Sequence, residues 1–433
     1  MKKITLLVAI ALGAGFAALL VRSARGGTAV PPVPSVEGFS AVEIERILQH
    51  SPLPPPPADP TNGVADAPEA ARLGQRLFFD PRLTGKGDVS CATCHDPARG
   101  LADGLALSDR FALDRNIPAL WNVAYNRWFF WDGRADSLWS QALQPIENPR
   151  EQAGTRLQVA HLLLEDPALR ESYVRVFGAV PDLSDASRFP PRGGPRVQPE
   201  GDPLRIAWTK MTPEDRSTVD RVYSNAGKAI AAYERRLLSR RSAFDVFVEG
   251  VRSGDAAKRE ALSPRAKEGL RLFVGKANCR LCHSGPAFTD GEFHNIGIPP
   301  VRGGLTPDRY SAIDEVRKDA FNTKGAFSDD PSRGAEKLDF LVRLQDAWGQ
   351  IKTPGLRNVA RTAPYMHQGQ FRTLKDAVEF YSTLEGMIQA GHHERAILSP
   401  LLLSTEEVAS LVAFLESLTD EGIDGSLLRP PPP

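Results

Sequence analysis

Two short strings, Cys91-Ala92-Thr93-Cys94-His95 and Cys279-Arg280-Leu281-Cys282-His283, hold all four cysteines of this 433-residue chain. A disulfide framework scatters its cysteines, so this concentration reads as attachment chemistry with no thiol left over. In C-x-x-C-H the two thiols can form thioethers to the vinyl groups of a haem, and the next imidazole reaches the iron. Structural zinc also takes paired Cys and His. It needs a fourth ligand at each site, however, and does not ask for His directly after the second Cys. The strings therefore predict two covalently held haems with His95 and His283 as proximal ligands. What each haem does depends on its other face. A sixth protein ligand favours electron transfer, whereas an open position beside an acid–base group favours peroxide chemistry.

The N-terminus bounds the compartment. Lys2 and Lys3 precede a weakly polar stretch from Ile4 to Val21, the pattern of an export signal. Arg22 and Arg25 crowd the place of a small-x-small cleavage site, and the stretch is near bilayer-spanning length. Cleavage and retention as a membrane anchor both stay open, and either puts the folded part in the periplasm. Lys plus Arg (53) equals Asp plus Glu (53), which gives no reason to expect a polyanionic partner or nucleic acid.

Residues 28–66, with Pro54 to Pro57 among many prolines, predict an extended tether after the 1–27 signal or anchor. Ordered structure is expected from Ala67, where a helical pattern leads to Leu77 and Phe78. Thr212-Pro213 opens another helix, with Val219, Val222, Tyr223, Ala226, Ile230, Tyr233 and Leu237 at helical spacing. The capping box Ser404-x-x-Glu407 opens a third. Strand-like alternation is scarce, so the fold class expected is mainly α with long loops. An internal duplication organises it. Gly74-Gln75-Arg76-Leu77-Phe78 precedes the first string and Gly269-Leu270-Arg271-Leu272-Phe273 the second. Pro118-Ala119-Leu120-Trp121-Asn122-Val123-Ala124 is echoed by Pro354-Gly355-Leu356-Arg357-Asn358-Val359-Ala360, Trp131-Asp132-Gly133 by His367-Gln368-Gly369, and Leu138 by Leu374. Two related haem domains, 67–210 and 211–420, are expected, with a tail at 421–433. The second carries an insertion, about 286–350, of little regular pattern.

Further motifs fall in order: Leu77-Phe78-Phe79-Asp80-Pro81-Arg82-Leu83, Ser90-Cys91-Ala92-Thr93-Cys94-His95, Phe130-Trp131-Asp132-Gly133-Arg134 and Ala363-Pro364-Tyr365-Met366-His367. Together, over about 67 to 420, they resemble the bacterial di-haem cytochrome c peroxidase/MauG family. The resemblance implies two cytochrome c-like domains with a calcium ion near their interface. It implies that peroxide reacts at the His95 haem, and that Trp131 relays electrons or holes between the haems. Without it, Trp131 beside Trp128, Phe129 and Phe130 reads as a core aromatic. Gln141 and Glu151, ten and twenty residues beyond Trp131, match the polar pair over the peroxide-binding haem. There Glu151 would shuttle a proton between the peroxide oxygens, although alone it reads as a solvated loop residue. Asn116 matches a calcium-binding asparagine, and Thr362 and Pro364 match residues giving backbone carbonyls, with waters filling the remaining positions. His367 matches a histidine beside the second haem, in a hydrogen-bonding or relay role rather than as an iron ligand.

Two departures sharpen the subtype. In the peroxidase branch, a methionine fourteen residues after the Pro-Tyr-x-His histidine ligates the second haem, and here that residue is Tyr381. Tyrosine there resembles the MauG branch, and Tyr is able to hold haem iron. Met387 and Met366 are the alternative ligands, and packing beside Phe380 is the alternative role for Tyr381. By the duplication, Pro145 fills the equivalent slot in the first domain, and its side chain offers a metal no donor atom. Many peroxidases also place a blocking histidine after the first haem, but this chain has none between His95 and His161. The first haem is therefore expected to be open or water-bound.

Three functions compete. The first is MauG-like oxidation of a protein substrate by hydrogen peroxide. The second is a peroxidase fed by a small cytochrome c or copper protein. The third is a non-catalytic electron-transfer protein, which requires both irons six-coordinate.

Overall fold

The computed structural model describes residues 38–108, 113–304, 306–388 and 397–432. The export-signal and anchor readings of 1–27 lie outside the described residues. The fold is mainly helical, as expected, and one two-stranded antiparallel sheet pairs Phe293–His294 with Ile351–Lys352.

Each domain is built on a crossed pair of helices. The Pro68–Phe79 helix opens with proline in its first turn and turns Leu73, Leu77 and Phe78 into the first core. It crosses the Pro213–Glu234 helix so closely that a Cβ at Gly74 would lie 1.8 Å from the Ala229 carbonyl oxygen. Only glycine permits that approach. In the second core the Pro264–Val274 and Thr405–Glu416 helices cross alike, and a Cβ at Gly269 would lie 1.9 Å from the Ser410 oxygen. Matching turns precede the helices Leu138–Glu147 and Leu374–Thr383, and both place asparagine in the left-handed region, Asn122 at φ 57° and Asn358 at φ 61°. Asn122 Oδ1 accepts the Ser239 N–H at 2.9 Å, and Asn358 Oδ1 accepts the Asp420 N–H at 2.8 Å. Each asparagine therefore pins the chain just beyond its domain's closing helix, so the repeat in sequence is a repeat in space.

Three expectations on organisation need correction: the domain boundary, the tether and the insertion. The boundary at 210/211 gave the Pro213–Glu234 helix to the second domain, but its Val219, Val222, Tyr223, Ala226, Ile230 and Tyr233 lie in the first core. The opening helix of that core needs this partner to bury its apolar face, so the first domain runs on through Leu237. Residues 28–66 are not a free tether over their described part. A helix at Ala41–Leu48, capped by the reciprocal Ser40–Glu43 box, buries Ile44 and Ile47 in the second core. The same strap then reaches the first domain, where Thr61 Oγ1 accepts the Trp139 indole N–H at 3.0 Å and Asn62 Nδ2 donates to the Lys228 carbonyl at 3.1 Å. The tail also folds back on the first domain. Gln75 Nε2 donates to the Ser426 and Arg429 carbonyls at 2.7 and 2.8 Å, and the Tyr233 hydroxyl donates to the Leu427 carbonyl at 2.6 Å. Finally, the insertion contains helices at Arg309–Lys318 and Pro331–Asp339. It places Phe321 and Phe327 in the first core, and Arg309 over the Trp128 and Phe293 rings at 4.3 and 4.0 Å. A segment of the second half is thus part of the first domain's packing.

Candidate functional site

The first string begins as one helical turn, Cys91–Cys94, and the His95 N–H closes it on the Cys91 carbonyl at 2.9 Å. His95 Nδ1 lies 3.1 Å from the Leu101 carbonyl, which is aimed at it by a left-handed Leu101 at φ 59°. A carbonyl only accepts, so Nδ1 keeps its hydrogen and Nε2 is left as the ligating atom. Burial pushes the His95 imidazole down to about 4, which keeps the ring neutral as ligation requires. The second string repeats the arrangement. The His283 N–H meets the Cys279 carbonyl at 2.9 Å, Nδ1 lies 3.0 Å from the Phe288 carbonyl, and Phe288 is left-handed at φ 55°. None of the four cysteines is joined to another in a disulfide. Two cysteines one turn apart, with a neutral imidazole fixed through Nδ1, fit a covalently attached haem at each string.

A cavity of about 1050 Å³ adjoins the first string, lined by Cys94, His95, Trp131, Gln141, Pro145 and Glu151 among others. Gln141 and Pro145 project from the Leu138–Glu147 helix, and Glu151 follows in the next turn. Among the described residues, its lining includes no histidine besides His95. Glu151 Oε1 accepts from Asn148 Nδ2 at 2.5 Å. Burial raises its carboxyl above the usual range, and the nearby Arg134 guanidinium opposes the rise. Arg134 is itself held over the Phe130 ring at 3.6 Å and paired with Asp132 at 3.0 Å.

A second cavity of about 290 Å³ is lined by Cys279, Cys282, His283, Met366, His367 and Tyr381. Tyr381 comes from the Leu374–Thr383 helix, at the place Pro145 holds in the other domain. Burial, then the Cys279 and Cys282 sulfurs, push its phenol well above the usual range. A phenolate there would thus require a cation such as ferric iron to displace the proton. Met366 shares the cavity lining with Tyr381, whereas Met387 packs against Gly297. Burial, then the Arg115 charge, lower the His367 imidazole to about 4.

Trp131 lines both cavities. Its indole N–H donates to the Asn116 carbonyl at 2.8 Å, and the Asn116 N–H donates to the His367 carbonyl at 2.8 Å. One short chain of bonds therefore ties Trp131 to the second cavity's wall. Asn116 Nδ2 is engaged with the Leu105 carbonyl at 2.7 Å, which turns Oδ1 toward an acceptor's role. Asn116, Thr362 and Pro364 line the first cavity together, a set of neutral oxygen donors compatible with a hard cation supplemented by water.

Sequence reading missed several residues. Arg134 and Asn148 adjust Glu151, and sequence alone assigns no role to either, although Arg134 closes the Phe130–Arg134 motif. Lys352 lines both cavities, donates its N–H to the Trp131 carbonyl at 2.8 Å, and is lowered to about 8 by burial, with Asp290 opposing. Among the described residues, one cluster of His, Cys, Asp and Glu has metal-ligand spacing, Cys282, Asp290 and His294. Its cysteine belongs to the second haem string, so it is part of the same site.

Comparison with known proteins gives the family. A family model described as di-haem cytochrome c peroxidase matches residues 68–253. The cytochrome-c peroxidase IdrP2 of Pseudomonas sp. (strain SCT) is 33% identical over 386 residues, covering 87% of this chain and 86% of the relative. The methylamine utilization protein MauG of Methylorubrum extorquens is 30% identical over 424 residues, covering 96% of each chain. The diheme peroxidase BthA of Burkholderia thailandensis E264 shares the fold, with a TM-score of 0.59 at 24% identity over 84% of this chain and 90% of that one. A crystal structure of a MauG-like protein associated with microbial copper homeostasis superposes with a TM-score of 0.58 at 25% identity, over 88% of this chain and 97% of that one. A duplicated helical fold with two haem-attachment strings and a shared wall between their cavities defines a di-haem c-type oxidoreductase. The chain belongs to the di-haem cytochrome c peroxidase/MauG family. Among the described residues, no helix is long and apolar enough to cross a membrane.

Proposed function

We propose that the chain, in the periplasm, uses hydrogen peroxide at the His95 haem, passes oxidising equivalents through Trp131 to a His283/Tyr381 haem, and oxidises a protein substrate. Cys91 and Cys94 attach the first haem, and Cys279 and Cys282 the second. One observation carries the reading: at equivalent places over the two cavities stand Pro145, which cannot ligate, and Tyr381, which can. When bound, the haems supply peroxide binding and one-electron chemistry.

The chain's own residues do the rest. Glu151, its carboxylate made more basic by burial, takes a proton from one peroxide oxygen and returns it to the other. Asn148 orients its carboxyl, and the Gln141 amide from the same cavity wall positions the peroxide. Reduction of peroxide to two waters takes two electrons and two protons, and in this reading the protein substrate gives the electrons. Trp131 bridges the cavities with its indole N–H fixed on the Asn116 carbonyl. His367 acts beside it as a hydrogen-bonding residue, its ring held neutral by burial. A calcium ion would be held by Asn116 Oδ1 and the Thr362 and Pro364 carbonyls, with waters completing its shell.

A second reading is a peroxidase fed by a small cytochrome c or copper protein. It draws support from relatives named cytochrome-c peroxidase and cytochrome c551 peroxidase. The test is stoichiometric peroxide added to the all-ferric protein, with visible and near-infrared spectra recorded within seconds. An immediate spectral change that is lost or redirected in Tyr381→Met or Trp131→Phe is expected. No reaction until one electron per chain is supplied would overturn the first reading and favour the second.

A further inference from the structure

We propose that His50, on the strap ahead of the first domain, is a positioning residue for the second haem, bracing the proximal turn that carries His283. The inference rests on the reading of His283 as that haem's proximal ligand. His50 is 2% exposed, and its ring lies between two backbone carbonyls, with Nε2 3.2 Å from that of His283 and Nδ1 2.9 Å from that of Arg46. The ring also packs on Phe288, with centroids 4.9 Å apart, and meets Phe273 edge-on at 5.9 Å. Phe288 is the residue whose carbonyl takes the His283 Nδ1–H, and it does so from a left-handed backbone that an aromatic residue rarely adopts. His50 thus touches both ends of the loop that sets the proximal imidazole: the His283 carbonyl and the Phe288 ring.

A second set of contacts holds the same loop from the other side. Arg357 donates from Nε to the Pro286 carbonyl at 2.7 Å and forks onto both Asp245 oxygens at 2.7 and 2.8 Å. The Ser51 hydroxyl donates to the same carboxylate at 2.7 Å, and Arg357 Nη2 reaches the His50 carbonyl at 3.4 Å. Two adjacent strap residues therefore join the clamp, one at the ring and one at the carboxylate. The first haem string has the matching Leu101 carbonyl, but the residue equivalent to Arg357 there is Trp121, which cannot make the fork.

The consequence follows from how outer hydrogen bonds tune a metal ligand. A well-aligned carbonyl on Nδ1–H fixes the ring's orientation and makes the imidazole more basic, which favours the ferric state. Loosening the loop weakens that bond and raises the potential of the second haem alone. The experiment uses the full-length di-haem protein, with spectroelectrochemical titration and electron paramagnetic resonance of both haems in wild type, His50→Phe and His50→Gln. Phe keeps an aromatic ring but brings no polar atom to the His283 carbonyl, whereas Gln restores a polar group able to donate to it.

In His50→Phe we expect about a threefold rise in the ferrous-to-ferric ratio of the second haem at fixed potential, about 30 mV for a one-electron couple. The second-haem resonance should broaden, the first haem should be unchanged, and His50→Gln should return most of the shift. A second-haem potential and resonance identical in His50→Phe and wild type would overturn the proposal, leaving His50 as packing. If His50→Phe does not assemble, Asp245→Asn, which weakens the clamp from its other end, must raise the second-haem potential alone. Equal shifts at both haems there would overturn the proposal. Failure of the underlying reading is separately visible. A His283→Ala protein that keeps the wild-type second-haem spectrum would remove His283 as ligand, whatever His50 does.

Discussion

In the first domain Pro145 lines the haem cavity where the second domain has Tyr381, and Tyr233-Glu234 close the core where the second has Phe414-Leu415. The crossed helices, asparagine turns and Nδ1–carbonyl bonds are otherwise repeated. A duplicated scaffold has thus kept the haem-attachment strings and their bracing bonds and diverged in residues that line the two cavities and close the cores. The first cavity is large and carries a half-buried acid, Glu151. The second is smaller, carries a phenol, and is braced from the proximal side by the N-terminal strap. In the proposed function, this asymmetry would give the first cavity the residues for peroxide chemistry and the second a phenol, Tyr381, that would hold its haem.

The largest effect that would sharpen this comparison is at Glu151. In Glu151→Gln the rate of reaction of ferric protein with peroxide, followed by stopped flow, should fall about 10²–10⁴-fold, while the second haem's spectrum stays unchanged. Burial holds the Glu151 carboxyl above its usual range, so its proton is lost at higher pH than an exposed glutamate's. The wild-type rate should therefore rise with pH through that raised value as the base form appears, and Glu151→Gln should lose the inflection. A variant as fast as wild type would remove the acid–base distinction between the domains.

The next difference is Glu234. It is 4% exposed, its Oε2 has no hydrogen-bond partner among the described residues, and burial raises its carboxyl to about 8. Because the folded value lies above the unfolded one near 4.5, the contribution to stability is full below 4.5 and is lost as pH rises through about 8. The loss is at most about 1.4 kcal/mol per pH unit within that window. Thermal melts between these limits should show wild type losing stability while Glu234→Gln stays flat. The two should converge at low pH, where both side chains are neutral. Parallel curves would mean that Glu234 ionises in the folded protein as readily as in the unfolded one.

How much of this was legible beforehand follows from the range of the interactions. The haem strings, the duplicated P-x-L-x-N-V-A segments and the Pro145/Tyr381 register are local spacings, and the helices starting at Pro213 and Thr405 announce themselves by their caps. Which core a helix joins is a long-range matter, so the domain boundary was drawn too early. The strap is a different case. The Ser40–Glu43 capping box and the Ile44/Ile47 spacing are plain in the chain, but the prolines that follow read as an unfolded tether. His50 gains its place only when that short helix docks. Glu234 and Lys352 look like ordinary surface charges in sequence, and only the fold sets them apart, Glu234 by burial in the core and Lys352 by its place on the wall of both cavities.

The smallest expected effect tests the part of the comparison in which the domains are alike. A Cβ at Gly74 or Gly269 would sit far inside contact distance of a backbone carbonyl, 1.8 Å from that of Ala229 and 1.9 Å from that of Ser410. A backbone oxygen cannot rotate away as a side chain can, so the helices must move apart and nearby core contacts must loosen. Gly74→Ala and Gly269→Ala should each cost about 1–3 kcal/mol, read as lowered denaturation midpoints with little change in denaturant slope. The losses should be similar, because the crossings are similar, and each should disturb the haem spectrum of its own domain first. A double variant should lose about the sum of the two, since the crossings lie in separate cores. If one glycine tolerates alanine while its counterpart does not, the two crossings have diverged, and the shared scaffold would be limited to the haem strings and the asparagine turns.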